Sequence, residues 1–377
     1  MTPITLQKIR FQQMKKSFKF IDLFSGIGGF HQAMHSVGGD CVFACEWNKY
    51  VRQTYTANYA NISPDIFQKE GLFANDINDV DPNNIPSFDI CCAGFPCQPF
   101  SMAGHRLGFE DTRGTLFFNI ASIVKAKIKA GCPPKVLLLE NVKGLKNHHK
   151  GETFRIILNT LTELGYKFEY AVLNAKYFGV PQNRERLFIV AWFAEVVNVN
   201  HFNFPYGIDK NGDSIFEESK LPSEAMHTKL AEILEPQETI DSTFTISDRA
   251  WAGHQRRREH HLEKGNGFSY SLFDSDAPYV NTLVARYWKD GKEILIDQSE
   301  YGLNPRKLTP VEAGRLQGYN IQGNGWLLGR GNILSLNIPF NIVTTKKEAY
   351  LQFGNSVAIP VVTRIAQEIV NQLLQHD

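Results

Sequence analysis

In GFPCQPFS, residues 94–101, one cysteine stands between two prolines directly after the apolar run FDICCA. Proline locks its own φ and lacks a backbone donor, so Pro96 and Pro99 stiffen the turn that carries Cys97. A thiol on a rigid turn at a strand end is placed for nucleophilic attack, whereas most free cysteines are inert core residues. Cys41, Cys45, Cys91 and Cys92, in or beside apolar strands, read as core, and Cys132, before two prolines, as a loop residue. Neither CxxC nor mixed Cys/His metal spacing occurs, which argues against a structural zinc.

A second stretch, FIDLFSGIGGF, sets Gly26, Gly28 and Gly29 where a strand turns into a helix. Glycines there let backbone approach a ligand, and a helix amino terminus favours a negative group. Twenty residues after Gly26 comes Glu46, in ACEWN, where a carboxylate can accept from both hydroxyls of a ribose. Trp47 could stack on an adenine ring. Asp76, in ANDIND, could receive an adenine amino group or be a plain loop aspartate. The spacing GIGG departs from GxGxxG and argues against NAD or FAD. A glycine turn packed for its own sake is the competing reading.

Both stretches need strands that end at one edge of one sheet. From Phe18 to about Phe193, FKFIDLF, CVFACE, FDICCAG, KVLLLEN and RLFIVAW read as buried strands. Between them, GFHQAMHSVG, GTLFFNIASIVKAKIKAG and ETFRIILNTLTELGY read as helices. This is a doubly wound, Rossmann-like α/β pattern, in which ligands collect at the carboxyl ends of the strands. After Phe193 the rhythm breaks into a loop-rich, irregular stretch. SVAIPVVTRIAQEIVNQLL then regains helical spacing at Val361, Ile365, Ile369 and Leu373, and needs the α/β core to pack on. The expected organisation is an extension at 1–16, an α/β catalytic and cofactor domain at 17–193, a smaller irregular domain at 194–344, and a returning segment at 345–377.

At 377 residues, 43% hydrophobic and 21% charged, the chain can bury a sizeable core, and no apolar run is long enough for a bilayer. The start, MTPITLQKIRFQQMKK, lacks the apolar centre of a signal peptide, so reduced thiols in a cytoplasm are expected. Net charge is +1, but residues 195–248 carry eleven acidic and three basic side chains. Arg249, Arg256, Arg257, Arg258 and Lys264 then reverse the sign, a patch able to meet phosphates or simply a solvated helix face.

Taken in order, nine stretches resemble the C5-cytosine DNA methyltransferases, particularly those of bacterial restriction–modification systems. They are DLFSGIGGF (22–30), EW (46–47), DI (76–77), GFPCQPFS (94–101), GFEDTRGTLFF (108–118), ENVKGL (140–145), QNRERLFIV (182–190), RKLTPVEAGRLQGY (306–319) and QFGNSVAIP (352–360). The resemblance implies an S-adenosylmethionine-dependent enzyme that flips a cytosine out of double-stranded DNA and methylates C5, without a metal. It makes Cys97 the nucleophile toward C6. Glu140 neutralises N3, a role that calls for a raised pKa. Arg184 and Arg186 lie at cytosine O2 and around the catalytic residues; two apart, they share a direction if the segment is extended, and a surface pair is the alternative. For removal of the C5 proton no side chain stands out, and water serves.

The same resemblance puts Phe24, Gly26, Gly28 and Gly29 at the cofactor's methionine side, Glu46 at the ribose, and Trp47, Asp76 and Ile77 at the adenine. Pro96, Leu116, Asn355 and Val357 would close that site. SMAGHRLGFEDTRG becomes a loop closing over the flipped base, with Gly104, Gly108 and Gly114 as hinges and Ser101 and Arg113 as phosphate or loop-locking contacts. The segment between RLFIVAW and RKLTP becomes the part that reads the DNA site. Two of its stretches, HQRRREHHLEKGNGFSYSLF and NTLVARYWKDGKEILID, resemble members that read sites of the CCGG or CCNGG kind. Arg256, Arg257, Arg258, Arg286 and Lys289 are the candidates there, for bases or for backbone alone. The connection at 320–350 is longer than usual for the family. A monomer is expected, partnered by a restriction endonuclease acting on the same site. Rival readings are the tRNA-methylating branch, whose CFT tripeptide is absent, a non-catalytic DNA-binding regulator, and, further off, an NAD oxidoreductase.

Overall fold

The structure, a computed structural model, describes residues 18–96, 116–209, 211–221, 228–265, 269–321 and 338–374. Cys97, Ser101 and Arg113, with the expected hinge glycines 104, 108 and 114, lie outside the described residues, as does 322–337 of the long connection.

A seven-stranded sheet organises the first half in the order β3-β2-β1-β4-β5-β7-β6. Its strands are β1 (Phe18–Leu23), β2 (Gly39–Cys45), β3 (Phe73–Ala74), β4 (Ile90–Gly94), β5 (Val136–Val142), β6 (Tyr166–Asn174) and β7 (Glu185–Phe193). Strands β1 to β5 are mutually parallel, while β7 runs antiparallel to both β5 and β6. The chain winds outward from β1 through β2 to β3, then returns to place β4 on the other side of β1. That reversal opens a crevice at the carboxyl ends of β1 and β4.

Among the described residues the longer helices between the strands are α1 (Gly29–Ser36), α2 (Lys49–Tyr59), α3 (Leu116–Lys129) and α4 (Glu152–Glu163), with a single helical turn at Asp65–Gln68 before β3. The central strands are apolar on both faces because helices cover both. The sequence pattern anticipates five of the strands. It misses the two-residue β3, and β6, an edge strand whose Lys167, Glu169 and Tyr170 are exposed, which blurs the alternation. Cys41 and Cys92 are buried in one core cluster, Cys45 and Cys91 in the other. Burial pushes the Cys45 thiol up to about 12 and Cys91 higher still, so both stay protonated.

The later half holds a short hairpin, β8 (Gly207–Ile208) and β9 (Ser214–Ile215), and an exposed helix, α5 (Asp248–Glu263). A small sheet follows, of β10 (Leu272–Phe273), β11 (Leu295–Ile296) and β12 (Arg306–Lys307), and then α6 (Pro310–Leu316). The chain closes with α7 (Lys346–Asn355) and α8 (Ile359–Ile369). Val361, Ile365, Ile369 and Leu373 join the core cluster of Phe30, Ala33 and Met34 of α1, as the helical spacing requires. Val197, Phe202 and Phe204 lie in that same cluster. No helix among the described residues is long and apolar enough to cross a membrane.

A third core cluster gathers Leu283, Tyr287, Leu316, Tyr319 and Phe353 with Ile27 from the glycine turn. Its base holds a buried ion pair. Both oxygens of Glu312 accept from Arg306, at 2.7 and 2.9 Å, and also from the backbone N–H groups of Thr309 and Glu235. Arg306→Met would leave the Glu312 carboxylate buried without its cation, a loss of about 3–5 kcal/mol. Urea unfolding reads this directly, and a loss no larger than the ~1 kcal/mol of an exposed pair would refute it.

Candidate active site

The glycine turn follows β1. Gly26 sits at φ +55 with nothing within 4 Å of where a Cβ would point, an open cradle that a side chain would fill. Gly28, at φ +85, has no such room: a Cβ there would lie 2.1 Å from the Tyr59 ring. Tyr59 donates to the Gly28 carbonyl at 2.9 Å and so supports the turn from below. A Cβ on Gly29 would meet Val357 at 2.6 Å, so the chain's last segment packs directly on the turn.

Glu46 follows β2 and is buried at its carboxyl end. Its Oε2 accepts from the Gly26 N–H at 3.0 Å and its Oε1 from the Asn48 N–H at 2.9 Å. Each oxygen retains a lone pair for a further donor. Burial raises the carboxyl's pKa, while the Asn48 and Gly26 amides and Arg52 pull it down. Trp47 beside it is 79% exposed, an aromatic face at the cavity rim. Asp76 caps the turn of Ile77–Asp79, accepting from the Asn78 N–H at 2.9 Å. Sequence reasoning passes over Arg52, which stacks on Phe73 and donates to the carbonyls of Glu46, Phe73 and Ala74. It ties the Glu46 and Asp76 loops together; the only signal was the polar face of α2, capped by Asn48.

Strand β5 delivers Glu140 beside Gly94, its ladder partner in β4. The next residue, Asn141, donates to the Phe95 carbonyl at 2.7 Å and holds the turn that leads to Pro96. Asn141 also escaped sequence reasoning, since ENV is legible as a motif but not as a brace. Because β7 is antiparallel, its beginning, not its end, reaches this edge of the sheet. Arg186 therefore faces Glu140, with Nε 3.2 Å from Oε1. Burial raises the Glu140 pKa, opposed by Arg186 and Arg184.

Arg184, two residues earlier, is buried and donates from Nη1 to the Leu283 carbonyl and from Nη2 to those of Gly354 and Ser356. Burial and Arg186 lower its pKa to about 9. The two arginines thus border the same space but hold different partners.

A cavity of about 720 Å³ joins these pieces. Phe24, Gly26, Glu46, Trp47, Asp76, Ile77, Pro96, Leu116 and Asn355 line it, with Glu140, Arg184 and Arg186 at the other end. Gly28, Gly29 and Val357 do not line it and instead pack behind the turn. The DNA-reading candidates stand elsewhere, all exposed. Arg258 stacks on Tyr270 and donates to its hydroxyl at 3.1 Å, while Arg257 reaches His254 at 3.0 Å. Successive residues on α5 are about 100° apart, so Arg256, Arg257 and Arg258 cannot all face one groove. Arg286 and Lys289 sit on and just after the turn Ala285–Trp288, which packs on α7. No cluster of three or more His, Cys, Asp or Glu among the described residues could hold a metal ion.

Comparison with known proteins places this arrangement. The family model described as C-5 cytosine-specific DNA methylase matches residues 18–371. The Type II methyltransferase M.SsoII of Shigella sonnei is 44% identical over 358 residues, 94% of this chain and 81% of that protein. M.NlaX of Neisseria lactamica, also a Type II methyltransferase, is 43% identical over 93% of this chain and 96% of its own. Among solved structures, the S. pombe Dnmt2 methyltransferase shares the fold with a TM-score of 0.64 at 19% identity, covering 94% of this chain and 99% of that one. With the match running from the first strand of the sheet to the last helix, the chain belongs to the C-5 cytosine-specific DNA methylase family.

Proposed function

We propose that the protein methylates carbon 5 of cytosine at a specific site in double-stranded DNA, as the protective partner of a restriction endonuclease. The observation that carries this reading is the convergence on one cavity of a glycine turn with its carboxylate and a Glu140–Arg186 pair. Pro96, the residue before Cys97, lines the same cavity. The Type II methyltransferase names of relatives that align with over nine-tenths of the chain supply the DNA substrate and the restriction–modification setting.

The residues fit S-adenosylmethionine: open space above Gly26, acceptor capacity on Glu46, and the exposed Trp47 ring. When bound, that cofactor supplies an electrophilic methyl group for C5. Cytosine C5 is a weak nucleophile until a group adds across the 5,6 double bond. The Cys97 thiolate adds to C6, and electron density moves to C5 and toward N3. Glu140, kept protonated more readily by its burial, donates to N3, and Arg186 steadies the carboxylate beside the base. Loss of the C5 proton, with water as the base, then expels the Cys97 thiolate, and return of the N3 proton to Glu140 restores the neutral ring. The base must leave the duplex to reach this cavity.

We assign 17–193 with 345–377 to catalysis and 194–344 to reading the site, its basic contacts drawn from among Arg256, Arg257, Arg258, Arg286 and Lys289. Bisulfite sequencing of DNA from cells expressing the chain tests the reading. Protected cytosines are expected at one short motif, and uniform conversion would overturn it.

A further inference from the structure

Two parts of the molecule assigned to different tasks share a wall. One side of α7 lines the cavity through Glu348, Leu351, Gln352 and Asn355. The turn Ala285–Trp288, which carries Arg286, packs on α7. Their contact is backbone on backbone, since a Cβ on Gly354 would lie 2.4 Å from the Ala285 nitrogen and 2.5 Å from the Val284 carbonyl carbon. Neither element can shift there without moving the other.

Arg184 is bound to both. Its Nη1 donates to the Leu283 carbonyl at 3.0 Å, and its Nη2 to the carbonyls of Gly354 at 3.1 Å and Ser356 at 2.6 Å. Three of its five donors are thus spent on main chain that runs into the DNA-reading turn on one side and the cofactor wall on the other. Neighbouring residues make the same junction. Gln182 Oε1 accepts from the Leu283 N–H, Asn183 N–H donates to the Val280 carbonyl, and Thr282 Oγ1 donates to the Asn183 carbonyl. Ile27, from the glycine turn, is buried in the same cluster as Leu283 and Phe353.

Resting on the function proposed above, we infer that Arg184 is a positioning residue that couples the DNA-reading segment 280–289 to the cofactor wall 354–356. The guanidinium meets the three carbonyls from two nitrogens in a fixed fork, a geometry that the single nitrogen of an ammonium does not reproduce. The coupling is reciprocal, so bound DNA tightens the cofactor site by the same factor that bound cofactor tightens DNA. Arg186, paired with Glu140, has no part in it.

The test is calorimetric titration of the full chain with S-adenosylhomocysteine, with and without a duplex carrying the mapped site. In the wild type, duplex is expected to tighten binding by about tenfold, within the usual range of coupling. Arg184→Lys should bring that ratio below about twofold, whereas Arg186→Lys should keep it while slowing methyl transfer. Gly354→Ala, which leaves Arg184 intact but forces α7 from Ala285, should also reduce the ratio. It carries the decision, together with Thr282→Val, if Arg184→Lys does not fold. A ratio unchanged in these variants, or absent in a wild type that methylates DNA, overturns the coupling alone. A chain that methylates no DNA overturns the reading beneath it.

Discussion

Cys97→Ser is expected to abolish covalent capture of DNA and to slow methyl transfer by about 10⁴-fold or more. The probe is a duplex with 5-fluorocytosine at the target position, incubated with S-adenosylmethionine. Once C5 carries both fluorine and a methyl group there is no proton to remove, so the Cys97–C6 bond cannot be released by elimination. The wild-type chain should then migrate with the DNA under denaturing conditions. Serine at 97 offers an alcohol that is scarcely ionised at neutral pH, and no adduct should form. Cys45→Ser and Cys91→Ser make the control, because those thiols are buried and held protonated. An adduct that persists in Cys97→Ser, or vanishes in Cys91→Ser while the protein remains folded, would displace Cys97 from its role.

The second large effect belongs to Glu140. Burial holds its carboxyl above the ordinary range, and Arg186, 3.2 Å away, pulls the other way without prevailing. If the acid form donates to N3, the rate should fall as pH rises through that elevated pKa. Glu140→Gln keeps the shape and can still offer a hydrogen bond, but has no proton to give. Its rate should be lower by about 10²- to 10⁴-fold and should have lost the high-pH decline. Stability should fall with rising pH as the rate does, but the substitution should move it the other way. A carboxyl whose folded pKa is raised favours folding below its unfolded pKa, and that contribution is lost as pH rises through the folded value. The glutamine variant should therefore be at least as stable as wild type at neutral pH. A rate near wild type with the high-pH limb intact would remove Glu140 from proton transfer.

Much of the site was legible because its parts are short and each sits where a strand ends. Gly26, Glu46 and Pro96 each follow the end of a strand that periodicity can find, and Glu140 was legible through the family resemblance. Arg52, Tyr59 and Asn141 were not legible, since each braces a loop through a backbone carbonyl far along the chain. Such a contact leaves no spacing pattern in the sequence. The three arginines at 256–258 look alike in sequence, yet Arg258 is engaged by Tyr270 and Arg257 by His254.

By itself the sequence determined the alternating α/β order, the strand-end chemistry and the return of a final apolar helix to the first core. These follow from local periodicity and from the need to bury an apolar face. Tertiary structure alone decided that β7 runs antiparallel, which carries Arg186 to Glu140 rather than to the far edge of the sheet. It also decided that Arg184 grips main chain at two distant stretches, Leu283 and Gly354–Ser356. The physical reason is the same in both cases. A strand's apolar pattern is unchanged when its direction reverses, and a carbonyl that accepts a hydrogen bond carries no residue identity.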